Sequence, residues 1–466
     1  MLQTLKNAWK LPDIRKKILF VLFILLLYRV GTVVPVPFVN STNFASVFGG
    51  TILEYMNTLS GGSLEQATLF ALGINPYITA SIVIELLTVA IPALERLAKQ
   101  GEEGRKKINN LTRYATVILA VITAIGYYFL LKNNGMLAAS GKTTLGAVTI
   151  VISYCAGAAL VMWLAEKINE NGLGNGISLI LFANIISSVP SKLIRLVDLC
   201  AVGFRAGSST VKFGIIAIVF AIVLVAFVLA MMVFCVFVTG SERRIPVQYA
   251  KRVVGRKMYG GQNSNLPIKL NMSGVMPVIF ASSIISLPAT IMALCSVKAQ
   301  PSYAECSTFW EKFYLFMGSD GWFYPVLMFI LIIAFSYFYI QISFNPVEVS
   351  NNLKQNGGTI VGVRPGRPTA QYIQKILSKV TLMGAFFLSI VAILPIILVP
   401  LGLEPAVTGI LSGVYGSLLG QYHASYYVSS FTYGGTSLLI VVGVALETVR
   451  DLESQLSMRN YKGFLG

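Results

Sequence analysis

The chain has 466 residues, of which 55% are hydrophobic and only 12% are charged, whereas an average soluble domain has about 25% charged residues. A soluble protein of this length could not bury so much apolar surface, so the composition excludes a water-soluble globular protein and predicts an all-α polytopic membrane protein. The net charge of +17 then belongs to the loops of one face.

Ten apolar runs along the chain are predicted to cross a bilayer, since about 20 apolar residues suffice for one crossing. The first follows Arg15, Lys16 and Lys17 and has no small-residue cleavage site after it, so we interpret it as a retained helix. Of the 36 lysines and arginines, 27 fall on one side of the ten spans. The positive-inside rule makes that side cytoplasmic and places both termini there. The spans lie at about 18–36, 70–92, 111–132, 144–165, 176–199, 213–239, 274–297, 323–344, 377–399 and 434–450.

Residues 44–80 begin to enter the membrane and then break. A short apolar piece, Thr51 to Leu59, lies between the glycine pairs Gly49-Gly50 and Gly61-Gly62 and is too short to span. Broken backbone at membrane depth is tolerated where it lines a protein cavity. The segment is therefore predicted to lie in a protein-lined cavity or at an interface, and a re-entrant loop with no special role is the alternative.

The predicted spans contain very little charge. Arg29 and Glu85 are the ionisable residues well inside them, whereas an ion-coupled transporter needs several such groups along its pathway. A single histidine, and cysteines without paired spacing, predict no metal site or cofactor, and no catalytic motif stands in a plausible place. These patterns predict a protein that is not an enzyme.

Two cytoplasmic loops, 241–272 and 345–370, are long and basic. The second contains the turn 363–366, Val-Arg-Pro-Gly, which is predicted to hold Arg364 on a rigid backbone. Positive charge that only marks membrane topology is the alternative, but loops of this length are predicted to dock RNA phosphates or an acidic protein face. The candidate docking residues are Arg243, Arg244, Lys251, Arg252, Arg256, Lys257 and Arg364.

Six segments together resemble the SecY family, the channel subunits of the bacterial Sec protein translocon, and the resemblance extends over nearly the whole chain. It implies two five-helix halves, 1–200 and 201–466, related as pseudo-symmetric inverted repeats around a central hourglass pore with a lateral gate. The segments are LFALGINPYITASIVIELLT (69–88), GLGNGIS (172–178), RRIPVQYAKR (243–252), NMSGVMPVIFASSII (271–285), VGVRPGRPTAQYI (361–373) and GGTSLLIVV (434–442).

The resemblance also implies roles for particular residues. The broken segment at 46–62 corresponds to a plug that closes the pore from outside, and its candidate residues are Thr51, Ile52, Leu53, Tyr55 and Met56. An apolar ring at the pore constriction falls on Ile74, Ile78, Ile177, Leu181, Ile279 and Leu394. Such a ring resists wetting yet deforms around a passing chain, while ordinary core packing is the alternative.

The helices at about 70–92 and 274–297 would form the two faces of the lateral gate, with Thr79, Ser81, Ser282 and Ser283 as candidate gate residues. The resemblance implies a protein-conducting channel of the bacterial cytoplasmic membrane. It would pass unfolded precursor chains outward and release transmembrane segments into lipid, and signal sequences would favour its open state. The implied partners are the membrane subunits SecE and SecG, the motor ATPase SecA and the ribosome. A secondary transporter with discontinuous helices is the alternative.

The sequence departs from the family between the last two spans. Residues 404–432 form an insertion with one acidic residue, one histidine and no lysine or arginine. An eleventh span over 407–427 is one interpretation, but it would move the basic C-terminal tail outside. We predict instead an external interfacial element anchored by aromatic side chains at headgroup level, namely Tyr415, Tyr422, Tyr426 and Tyr427.

Overall fold

The computed structural model describes residues 8–39, 52–133, 135–205, 210–249, 252–254, 257–259, 263–294, 312, 323–398, 401 and 434–462. Most of these residues are helical, which confirms the predicted helical membrane protein. The helices of the N-terminal part are α1 (Pro12–Gly31), α2 (Ile52–Leu59), α3 (Asn75–Ala90), α4 (Pro92–Ala98), α5 (Glu102–Asn133), α6 (Thr144–Asn171) and α7 (Gly176–Arg205). Those that follow are α8 (Thr210–Gly240), α9 (Met276–Leu294), α10 (Phe323–Ser343), α11 (Pro346–Gln355), α12 (Arg367–Leu398) and α13 (Gly434–Lys462).

Every predicted span overlaps one of these helices, although the boundaries differ. Within the described residues, six helices are long and apolar enough to cross a membrane, or seven if the bent pair α3 and α4 counts as one span. The number ten therefore stays a prediction. Helices α5 and α12 begin about ten residues before the corresponding predicted spans. Their first turns are polar, and a search for apolar runs does not include polar helical turns.

The second predicted span, 70–92, is shorter than expected. Residues 61–74 form successive turns, and α3 begins only at Asn75. It ends at Ala90 because Ile91 precedes Pro92 and adopts extended backbone. Helix α4 then leaves at 105° to α3. At 1.5 Å per residue, α3 is about 24 Å long, which is less than the hydrocarbon thickness of about 30 Å.

One large apolar core joins both predicted halves of the molecule. It draws buried side chains from α1, α3, α6 and α7 and from α8, α9, α10, α12 and α13. Small residues allow close approach where these elements cross. A Cβ added at Gly157 would lie 2.0 Å from the carbonyl oxygen of Leu69, and one at Gly435 would lie 2.3 Å from that of Val391.

The two basic loops are not independent, because they contribute strands to one antiparallel sheet. The strands are β1 (Glu242–Tyr249), β4 (Asn263–Lys269) and β5 (Gly358–Ile360), in the order β4-β1-β5, and β2 (Arg252–Val254) pairs with β3 (Lys257–Tyr259). Alternate residues of β1 are buried. Ile245 and Val247 pack with Ile268, Ile360, Ile340 of α10 and Ile373 of α12. The sequence did not predict these strands.

The beginning of α1 and the end of α13 lie together. Ile14 and Leu452 share a small buried cluster, and the ammonium group of Lys17 donates to the side-chain carbonyl of Gln455 at 3.1 Å. The described chain therefore starts and finishes on one end of the helical bundle.

Candidate functional site

The short helix α2 occupies the centre of the predicted plug. It packs against α7 and α9, one helix from each predicted half. The side chain of Leu59 is buried in the main core, and Met56 packs against a second cluster that includes side chains of α5 and α6. Residues 46–51, including Thr51, and the side chains of Ile52, Leu53 and Tyr55 lie outside the described part of the chain.

Helix α2 ends in a two-glycine cap. The amide of Gly61 donates to the carbonyl of Thr58 at 3.2 Å, and the amide of Gly62 donates to that of Asn57 at 2.9 Å. Gly61 has a φ of +69°, the left-handed conformation that this type of helix ending requires. The glycine pair that the sequence marked as a break therefore stops the helix after two turns.

Polar side chains fix the turns that follow. The Asn57 amide donates to the Glu65 carboxylate at 2.8 Å, while the backbone amide of Glu65 donates to the Asn57 side-chain carbonyl at 3.0 Å. The hydroxyl of Tyr154, on α6, donates to the carbonyl of Ala67 at 3.2 Å. The hydroxyl of Tyr127, on α5, donates to the carbonyl of Leu64. Protein groups thus satisfy several polar groups of this non-helical backbone, which is the condition for broken backbone inside a membrane protein.

The two ionisable residues predicted inside spans have different surroundings. The guanidinium of Arg29, at the end of α1, donates to the backbone carbonyl of Ala183 in α7 at 2.6 Å. One carboxylate oxygen of Glu85 in α3 is buried without a hydrogen-bond partner among the described residues. Arg29 therefore ties two helices together beside the end of α2.

The six predicted ring residues all belong to one apolar cluster. Ile74, Ile78, Leu181 and Ile279 are buried, while Ile177 and Leu394 are partly buried against the same cluster. The amide of Ile78 donates to the carbonyl of Ile74 at 3.1 Å, so these two residues stand one turn apart. Because the cluster also contains many other aliphatic side chains, packing alone does not separate a ring from a core, and the ring stays a prediction.

The predicted gate helices are in contact. Helix α9 packs against α3, α5 and α10. Ser282 and Ser283 are buried, and Thr79 and Ser81 are partly buried. The Ser282 hydroxyl donates to the Ile279 carbonyl of its own helix at 2.9 Å, so it does not bind the opposite face.

The sheet β4-β1-β5 and the turn 363–366 form a surface that we call the basic platform. Arg243 and Arg244 are exposed on β1, and Arg244 pairs with Glu242 at 2.7 Å. Arg252 and Lys257 lie on β2 and β3, whereas Lys251 and Arg256 lie outside the described residues. Partial burial, and then the positive charge of Arg450, lower the pKa of Lys269 at the end of β4.

The turn that carries Arg364 is held at both ends. The Thr369 hydroxyl donates to the Arg364 carbonyl at 2.8 Å, and the Ser350 hydroxyl donates to the Gly366 carbonyl at 2.7 Å. Gly366 has a φ of +101°, which a residue with a Cβ rarely adopts. Arg364 is exposed. The predicted rigid presentation of this arginine therefore agrees with the structure.

The fold and this site define a polytopic helical membrane protein with a short capped helix packed between its long helices. Among the described residues, no group of three His, Cys, Asp or Glu side chains could hold a metal ion. A family model described as SecY matches residues 68–449. The chain belongs to the SecY family.

Relatives and solved structures agree with this assignment. The chain is 40% identical to the protein translocase subunit SecY of Streptomyces scabiei over 479 residues, and to that of Mycobacterium tuberculosis over 480, covering 100% of each chain in both cases. A solved structure of a protein-conducting channel matches with a TM-score of 0.58 and 18% identity, covering 94% of this chain and 91% of the other. A structure concerning the plug domain of SecY has the same TM-score and coverage at 17% identity. Canine Sec61 in a ribosome-channel complex has a TM-score of 0.55 at 17% identity, with the same coverage.

The predicted class, a protein-conducting channel that is not an enzyme, is confirmed. The secondary transporter finds no support. The insertion 404–432, which is predicted to be external, lies outside the described residues.

Proposed function

We propose that this chain forms the pore through which unfolded precursor chains cross the cytoplasmic membrane, and that it releases transmembrane segments sideways into lipid. The observation that carries the proposal is the position of α2, a two-turn helix packed between α7 and α9 in a chain of the SecY family. Residues 1–200 and 201–466 would be the two halves that move apart, and α2 lies at their junction.

Two barriers would close the resting channel. The segment 46–62 acts as the plug, and the six ring residues form an uncharged constriction beside it. Branched aliphatic side chains exclude water and ions because wetting an apolar constriction is unfavourable. A closed channel requires these side chains to pack together, and most of them are buried in one apolar cluster.

The lateral gate would open between α3 and α9. Their contact depends on apolar packing, since the buried hydroxyl of Ser282 bonds within its own helix. An apolar signal sequence can replace such packing without breaking a hydrogen bond. It would thereby stabilise the open state more than the closed one, which is all that gating by a ligand requires.

The basic platform would receive the cytoplasmic partners. An exposed arginine on a fixed backbone suits a bidentate contact with a carboxylate or a phosphate. Related channels have been solved bound to ribosomes, and ribosomal RNA offers phosphates to the exposed arginines. We assign the motor ATPase SecA to the same surface and expect SecE and SecG as membrane subunits.

A contact between α1 and α13 supports the proposed topology, in which both ends of the chain are cytoplasmic. Because Lys17 and Gln455 lie together, a cytoplasmic N-terminus places the end of α13 in the cytoplasm as well. An eleventh span within 404–432 would contradict that arrangement, so we place the insertion outside. In a background without the five native cysteines, Ser425→Cys should react with a membrane-impermeant maleimide added outside the cell, and Ser457→Cys should not. External labelling of Ser457→Cys would overturn this topology.

Reconstitution tests the proposed function directly. Vesicles that contain the purified channel with its membrane subunits, the motor ATPase, ATP and a secretory precursor should protect the precursor from protease added outside. Vesicles that lack this chain serve as the control. Absence of ATP-dependent protection above that control would refute the proposal.

A further inference from the structure

A fully buried asparagine contacts the end of the plug helix α2. Asn184, on α7, is 0% exposed although it lies in an apolar run between Ala183 and Ile185. Its side-chain amide donates to the backbone carbonyl of Leu59 at 2.7 Å and to the hydroxyl oxygen of Tyr28 at 2.9 Å. Both amide hydrogens are therefore used, one on α2 and one on α1.

The bond to Leu59 completes the end of α2. The last four carbonyls of a helix have no partner inside it. In α2, the carbonyls of residues 56, 57 and 58 accept from the backbone amides of residues 60, 62 and 61. The fourth carbonyl, that of Leu59, accepts from Asn184. Three of the four terminal carbonyls of α2 therefore accept from local backbone amides, and the fourth accepts from a side chain of α7.

Neighbouring groups hold Asn184 in place. Arg29 donates to the carbonyl of the preceding residue, Ala183, at 2.6 Å, and Tyr28 stacks on Phe70 with ring centroids 5.4 Å apart. A Cβ at Gly61 would lie 2.9 Å from the side-chain oxygen of Asn184 and 3.0 Å from Arg29 Nη1. The glycine therefore lets the backbone after α2 reach this polar group.

The contact is also easy to release. The side-chain oxygen of Asn184 has no hydrogen-bond partner in the described part of the chain, and an unsatisfied buried acceptor offsets part of what the two donated bonds contribute. When α2 leaves, the Leu59 carbonyl gains water, and water that enters the opened pore can satisfy the Asn184 amide. The bond thus favours closure without making it permanent.

We propose that Asn184 is the positioning residue that holds the plug helix in the closed channel, with Tyr28 orienting its amide and Arg29 fixing the local backbone of α7. The proposal rests on the assignment of 46–62 as the plug. A single hydrogen bond of ordinary net strength changes the ratio of closed to open channels about five- to tenfold.

Ion leak through the resting channel in planar bilayers is the first test. Asn184→Leu keeps the branched shape of the side chain but cannot donate, so its leak should rise about five- to tenfold over the parent. Ser187→Ala is the matched control, because that hydroxyl donates only to the carbonyl of Asn184 within α7. A leak of Asn184→Leu equal to that of the parent, or equal to that of the control, would overturn the proposal.

A second measurement covers the case in which Asn184→Leu does not assemble. Ser60 is 1% exposed, so Ser60→Cys should be nearly unreactive toward an impermeant maleimide added outside. Tyr28→Phe leaves the bond from Asn184 to Leu59 possible but removes the group that orients the amide, and it should raise the labelling rate of Ser60→Cys two- to threefold or more. An unchanged rate would refute the role of this polar group.

Deletion of residues 46–62 tests the plug assignment separately from the role of Asn184. If the deletion raises the leak and Asn184→Leu does not, the plug assignment stands and the role of Asn184 is wrong. If the deletion leaves the leak at the parental value, the plug assignment is wrong, and the role of Asn184 falls with it.

Discussion

Helix α2 and the basic platform are held by different kinds of interaction. Around the plug helix, directional hydrogen bonds from Asn57, Asn184 and Tyr127 decide the arrangement. In the platform, buried aliphatic side chains such as Val247 and Ile268 do so. Hydrogen bonds can be exchanged for bonds to water at little net cost, whereas separating packed aliphatic groups has no such compensation. We therefore expect α2 to separate from its neighbours more easily than the strands of the platform separate from theirs.

The largest effect should come from a charge buried in the platform. Val247 is 2% exposed, and Val247→Asp would bury an unpaired carboxylate at a cost on the order of several kcal/mol. Gln248→Asp places the same group on the exposed side of the same strand. We expect rapid trypsin cleavage within 241–272 for Val247→Asp and parental rates for Gln248→Asp. Equal cleavage of the two variants would show that apolar packing does not hold the platform.

Reversing the charge on the platform should cause a large loss of activity without unfolding it. Arg364→Glu should abolish most of the precursor-stimulated ATP hydrolysis by the motor, because the exposed arginine is expected to meet an acidic or carbonyl-rich surface. Lys354→Glu makes the same change of charge at an exposed position of α11, outside the fixed turn. It should retain most of the stimulation. Normal stimulation with Arg364→Glu would refute docking at this turn.

A polar substitution in the predicted ring should have an intermediate effect. Ile279→Asn should admit precursors with defective signal sequences, because a polar group in the ring favours wetting and opening. Ile285 is equally buried on the same helix but is not a ring residue, so Ile285→Asn is the control. Export of a signal-defective reporter, measured at equal channel levels, should rise only for Ile279→Asn. Equal export by both variants would show that Ile279 is an ordinary core residue and not part of a pore ring.

The smallest effect should come from one methyl group beside the plug helix. Gly61 and Gly62 have φ values of +69° and +86°, so alanine strains the backbone at both by about 1 kcal/mol. Only at Gly61 would the new Cβ meet Asn184 and Arg29, whereas nothing lies within 4 Å at Gly62. Labelling of Ser60→Cys from outside should therefore be faster with Gly61→Ala than with Gly62→Ala. The reverse order would contradict the close approach at Gly61.

Short-range patterns predicted much of this molecule. The glycine pairs around Thr51 to Leu59 indicated an apolar segment too short to span, and α2 ends just before the second pair. The Pro-Gly turn indicated a fixed Arg364. Both predictions depend on neighbouring residues, whose conformational preferences can be read without knowing the rest of the fold.

Long-range contacts could not be read in this way. Asn184 stands in an apolar run, where sequence alone does not show that a carbonyl from α2 and a tyrosine from α1 meet it. Residues 61–74 were placed partly in a span because their hydropathy is high, although bonds from distant tyrosines hold them as turns. Strand β5 has three residues, too few for an alternating pattern to indicate a strand.

The sheet that joins the two basic loops has a consequence for the order in which the chain can fold. Thr359 of β5 donates a hydrogen bond to Gln248 of β1, 111 residues earlier, and α9 and α10 are synthesised between them. Strand β1 can pair with β4 once both have been synthesised, but its other edge has no partner until β5 has been made after α9 and α10. An open edge of this kind can pair with another chain. A nascent chain arrested before residue 358 should therefore tend to associate with other chains through this edge. The platform can be completed only after α9 and α10 have been synthesised.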